Sequence, residues 1–191
     1  MRPRGTARGA GLALVAWLGT VGAAAAHSLP GSVLSISRAD DELRLTLEVP
    51  LEDLVLAAPD VRDLEDLPVG RDLPAGALSR LDAYLADHVA LERGTTALPL
   101  SLSGASLVAA SNDHVGAFTL VVAELAAPLP GTADVPSLTL FHDAVMHEVR
   151  SHDATVYWVR PGVPPLAIAE FRYGTVDGRP RPVTLDVPRT R

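Results

Sequence analysis

The stretch Glu42-Leu-Arg-Leu-Thr-Leu-Glu-Val49 decides the fold class. Leu43, Leu45, Leu47 and Val49 alternate with polar partners, and a period of two marks a strand with one buried face. Before it, Ser32 to Arg38 carries apolar Val33, Leu34 and Ile36, and Ala39-Asp40-Asp41 between them is turn-like, so the two runs read as an opening β-hairpin. Leu51 to Ala57 follows as a short apolar turn with some helical character. Pro59 to Pro74 is acidic and broken by Pro and Gly, and reads as loop. Ala77 to Arg93 is the one helix expected: Leu78, Leu81, Leu85 and Val89, with Tyr84 beside them, recur at helical spacing, and Gly94 stops the run. His88 falls among its polar positions and is expected to face solvent.

From Ala97 onward strands return. Leu98 to Leu102, Ser106 to Ala110, Ala117 to Ala126 and Ser137 to Phe141 are apolar and β-rich, and Pro128-Leu-Pro-Gly131 marks a turn. Val145 to Arg150 and Ala154 to Arg160 flank Ser151-His152-Asp153 as the arms of a hairpin would. Leu166 to Tyr173 and Pro182 to Val187 close the pattern. Roughly eight to ten short strands separated by turn signals predict a mainly β fold, an Ig-like β-sandwich with one inserted α-helix at about 77–93.

The N-terminus reads as a secretory signal peptide over residues 1–26. Arg2, Arg4 and Arg8 form a positive start, Gly9 to Val21 an apolar stretch, and Ala23 to Ala26 a small-residue end. Ala24 and Ala26 fit the −3 and −1 positions, so cleavage is expected before His27. The apolar stretch is shorter than the roughly 20 residues of a membrane-spanning helix. The expected organisation is therefore a signal peptide (1–26), a sandwich domain (27–178) and a Pro/Arg-rich tail (179–191), in a periplasmic or secreted protein.

Composition narrows the chemistry. The chain of 191 residues has 48% apolar but only 4% aromatic residues, so Leu, Val and Ala must fill the core. Cysteine is absent, which excludes disulfides, thiolate metal sites and cysteine nucleophiles. The net charge is −7; without Arg2, Arg4 and Arg8, 13 basic residues face 23 acidic ones, a net of −10. Such a domain repels nucleic acid and anionic lipid and is compatible with cations. No G-x-S-x-G, P-loop or dinucleotide-binding glycine pattern occurs, so enzymatic activity is not expected.

Histidine carries the remaining signal. As the first residue of the mature chain, His27 would offer an α-amine and a ring nitrogen together, a donor pair suited to Cu(II) or Ni(II). Phe141-His-Asp-Ala-Val-Met-His-Glu-Val-Arg-Ser-His-Asp153 brings His142, His147 and His152 at steps of five. That step puts no two of them on one helix face and does not form H-E-x-x-H, so only the fold could gather them; the competing reading makes His142 and His152 turn or edge residues at strand ends. Asn112-Asp113-His114 reads as a polar turn, with His114 a further candidate ligand. The metal set expected from sequence is thus His27, His114, His142, His147 and His152.

Ala26-His27, Val33-Leu34-Ser35-Ile36, Val49-Pro50-Leu51-Glu52-Asp53-Leu54 and the F-H-D-A-V-M-H-E-V-R-S-H run together resemble the extracytoplasmic N-terminal region of HupE/UreJ-like membrane proteins. The resemblance runs from His27 to about Tyr173, and its best part is the D-A-V-x-H-x-V-x-x-H stretch. It implies a freestanding extracytoplasmic domain working with an integral membrane partner, and metal handling by way of His27, His142, His147 and His152. The alternative is a metal-free interaction module of the cell envelope.

Overall fold

A computed structural model describes residues 29–129, 137–176, 179–185 and 187. The expected signal segment and His27 lie outside them.

Strands β1 (Ser32–Ala39) and β2 (Glu42–Pro50) form the opening hairpin. Asp40 adopts φ 50° in its two-residue turn, a left-handed conformation that Asp tolerates in hairpin turns. Leu34, Ile36, Leu43 and Leu47 are fully buried and Leu45 nearly so, as the alternation requires. The remaining elements are α1 (Leu51–Ala57), a 3-10 helix (Pro59–Asp66), α2 (Ala75–His88), β3 (Val89–Arg93), β4 (Thr96–Leu98), β5 (Ser101–Asn112), β6 (Gly116–Pro128), β7 (Leu138–His142), β8 (Asp153–Arg160), β9 (Val163–Arg172), β10 (Thr175–Val176), β11 (Arg179–Pro180) and β12 (Val183–Leu185).

Two main sheets share the core, giving the mainly β, sandwich-like fold read from the sequence. One is six-stranded, in the order β5-β6-β2-β1-β8-β9; the other is four-stranded, in the order β12-β7-β3-β4. β10 and β11 make a small separate ribbon. β1 and β8 run parallel, Ser32 beside Ala154 and Ile36 beside Trp158. The outer side of β5 is covered by residues 70–73: Gly70 and Leu73 donate to the carbonyls of Leu107 and Ala105, both at 2.7 Å. β9 is the opposite edge and carries exposed Val163 and Leu166.

Three local expectations are corrected. The inserted helix ends at His88 rather than Arg93, because Val89 and Leu91 alternate inward on a strand paired with β7. Val89 fits both periods, since it lies four residues after Leu85 and two before Leu91. Helical structure is also more extensive than one element. Leu51–Ala57 is a helix, and the acidic Pro59–Asp66 is a 3-10 helix that buries Val61 and Leu64 at its three-residue repeat. Finally, Val145 to Arg150 is no strand: residues 144–148 turn, burying Ala144, Val145 and Met146 in succession, whereas a strand with one buried face alternates. The 179–191 stretch contributes β12 to the second sheet, where it pairs with β7.

Candidate metal centre

The β3–β7 pairing sets Val89 opposite His142. One step further, the amide of Asp143 donates to the carbonyl of His88 at 3.1 Å. The last residue of α2 and the first residue past β7 thereby come side by side. Nδ1 of His88 lies 2.8 Å from Oδ1 of Asp143, and both side chains are 20% exposed. The turn after Asp143 brings His147 back over them: its amide and its Nδ1 both donate to the Asp143 carbonyl, at 3.1 and 3.2 Å. The rings of His88 and His147 stack at 4.0 Å, 16° from parallel. One ligand atom from each of His88, Asp143 and His147 falls within 4.8 Å of the others.

This arrangement has a definite chemical reading. Each Nδ1 donates to oxygen, to the Asp143 carboxylate from His88 and to the Asp143 carbonyl from His147, which leaves both Nε2 atoms as acceptors. Metal-binding histidines are commonly oriented by such a hydrogen bond from the second nitrogen. A divalent ion would take the two imidazoles together with Asp143, either as a direct ligand or as the group that orients His88. Two nitrogens and a carboxylate oxygen suit Cu, Ni or Zn better than Mg or Ca.

The turn that carries the site is held under strain. Val145 has φ 69°, a costly conformation for a β-branched side chain. It is fully buried, and its amide donates to the Tyr84 hydroxyl at 2.8 Å. Tyr84, on α2, sets its ring 4.6 Å from that of His88 and 6.0 Å from that of His147. Burial pushes the phenol up to about 12, so its hydroxyl stays neutral.

Of the residues singled out in the sequence, His147 alone joins this group. His142 ends β7 facing the core, 2% exposed, with the ring of Phe171 edge-on at 5.6 Å and, among the described residues, no partner for either nitrogen. Burial pushes its imidazole down to about 4. His152 is also buried, between other partners. Its Nδ1 donates to Oδ2 of Asp53 at 2.9 Å, and its Nε2 accepts from the Ser32 hydroxyl at 2.7 Å and from the Ser32 amide at 3.2 Å. So both residues sit at strand ends, as the competing reading had it, but neither is an edge or surface residue. His114 is in a turn whose amide donates to Oδ1 of Asn112 at 3.0 Å, and it joins no ligand group among the described residues. His27 lies outside them.

Ser32, His152 and Asp53 have the order and the hydrogen-bond spacing of a hydrolase relay, held in a buried position where they also clamp the fold. Ser32 is 2% exposed, and its hydroxyl and its amide both bond the same imidazole. The contact ties β1 and α1 to the segment entering β8.

His88 and Asp143 were missed by sequence reasoning. The expectation that His88 faces solvent is overturned by its contact with Asp143 and its stack on His147. Its partners lie 55 and 59 positions away along the chain, so the only available signal was the His-Asp pair at 142–143 ending a predicted strand. No family model matches the chain, and no curated protein matches it.

Proposed function

We propose that this chain is an exported accessory domain that binds one divalent transition ion, copper or nickel, through His88, Asp143 and His147, and works beside an integral membrane partner. The observation that carries the reading is the convergence of those three side chains within 4.8 Å, with the Nδ1 of each imidazole hydrogen-bonded to Asp143. The strained turn at Val145 adds support, because strain of this kind persists where the surroundings enforce it and concentrates at ligand clamps. The acidic composition favours a cation, and the resemblance to HupE/UreJ-like extracytoplasmic regions supplies the membrane partner. Among the described residues no helix is long and apolar enough to cross a membrane.

A second reading, a metal-free interaction module of the envelope, draws on the β9 edge with exposed Val163 and Leu166. The deciding experiment is calorimetric titration of Cu(II) and Ni(II) into mature protein starting at a mass-verified His27. His88→Ala, His147→Ala and His27→Ala are titrated beside it, with circular dichroism as the folding control. Tight one-to-one binding that drops at least about 100-fold in the folded His88 and His147 variants is expected, the scale of losing a ligand or its orienting partner. Binding abolished only in His27→Ala would move the site to the chain terminus. No binding by the parent protein would leave the interaction module.

A further inference from the structure

The β3–β7 ladder sets more than the contact between His88 and Asp143. Its rungs pair Val89 with His142 and Leu91 with Leu140, all four buried, so the rungs between them point outward. Those outward rungs are Glu92 opposite Thr139 and Ala90 opposite Phe141. The bond from the Asp143 amide to the His88 carbonyl adds the next rung on that side. The same face carries a cleft of about 250 Å3, lined by Asp87, His88, Ala90, Glu92, Phe141 and Pro180. The cleft therefore meets the metal centre at His88.

Three observations point to an occupant. The first is coordination. His88, Asp143 and His147 supply three ligand atoms, and a four-coordinate transition ion so held keeps a position for an outside donor. The side chains of His88 and Asp143 are each 20% exposed, so a donor can reach an ion beside them. The second is size. The cleft is smaller than the pockets that take drug-sized ligands, and it holds one imidazole ring with its stem. The third is the lining. Asp87 and Glu92 are its carboxylates, and among the described residues no arginine joins them, so an anionic donor is repelled. Ala90, Phe141 and Pro180 give a flat ring an apolar bed.

We propose that this cleft admits the neutral imidazole of a histidine carried by a polypeptide partner, which takes the open position of the ion, so that the ion is held by both chains at once. The inference rests on the metal reading of the His88 centre and names the chemistry of the partner that meets it.

The test titrates N-acetylhistidine methylamide, a neutral stand-in for a peptide histidine, into mature protein loaded with one equivalent of Cu(II). Electron paramagnetic resonance follows the titration, with and without isotopic labelling of the added ring nitrogens. Calorimetry first establishes copper uptake at the His88 centre; a parent that takes up none there overturns the metal reading and this proposal together. With copper bound, a saturable, label-dependent change in nitrogen splitting is expected, with Kd below about 1 mM. Ala90→Leu fills the floor of the cleft and removes no ligand. With circular dichroism as the folding control, it should keep copper affinity within about twofold and weaken the imidazole at least about tenfold. N-acetylhistidine, which has the same ring and a free carboxylate, stands in for the free amino acid and should bind at least about threefold more weakly than the neutral amide. The Asp87→Asn/Glu92→Gln double variant should erase that difference. Copper binding without label-dependent splitting, imidazole affinity indifferent to Ala90→Leu, or no preference for the neutral form would each overturn this proposal and leave the metal reading standing.

Discussion

Single residues here do work that their types do not announce. Gly31 is the clearest case: a Cβ at that position would collide with the Asp153 carboxylate and lie 2.5 Å from the Asp153 carbonyl. Gly31→Ala must therefore push β1 away from β8, and urea unfolding should show a loss of about 2 kcal/mol, the usual scale of overpacking. His142 gives a pH signature. Its folded-state imidazole is held down to about 4 by burial, below the usual value near 6.5 for an unfolded chain. The unfolded state therefore binds the extra proton first, and stability is lost as pH falls from about 6.5 toward about 4. Metal-free protein should lose about 3 kcal/mol across that window, and denaturation curves of His142→Phe should lack the loss. Neither behaviour was legible beforehand. A histidine ending a strand looks the same whether its ring meets water or Phe171, and Gly31 looks like an ordinary turn glycine until the parallel neighbour is known.

Elements were more legible than the contacts between them. The period of two over Glu42–Val49 and the four-residue spacing of Leu81 and Leu85 each survive in the structure, because burial on one face is what created those patterns. Boundaries failed where one residue satisfies two periods, as Val89 does between α2 and β3. The site failed for a related reason: it is made at a junction, by the last residue of a helix and the turn after a strand, where no periodicity operates. Tyr84 couples those two pieces. Tyr84→Phe removes the acceptor for the Val145 amide and should cost about 1 kcal/mol of stability, measured by urea unfolding. If the proposed ion binds, calorimetry on the same variant should show weaker binding at unchanged stoichiometry, since His88, Asp143 and His147 all remain.

On the scale of the whole molecule, two sheets close over one core, and one contact joins the start of the chain to its far side. The clamp of Ser32, His152 and Asp53 links residues 120 positions apart, beside the parallel β1–β8 pair. If the proposed ion binds the folded chain alone, saturating Ni(II) or Cu(II) should raise the melting temperature of the parent and leave that of His147→Ala unchanged. The general architecture was legible because about ten alternating segments admit few arrangements. The parallel pairing was not, since hairpin signals speak only of antiparallel neighbours. That pairing also sets a schedule. β1 lies between β2 and β8, so the first strand to be made cannot complete its hydrogen bonds until the eighth exists. Contacts of such long sequence separation form slowly. A chain made from its N-terminal side therefore carries a β1–β2 hairpin that waits, with one edge unpaired, until residues 153–160 arrive.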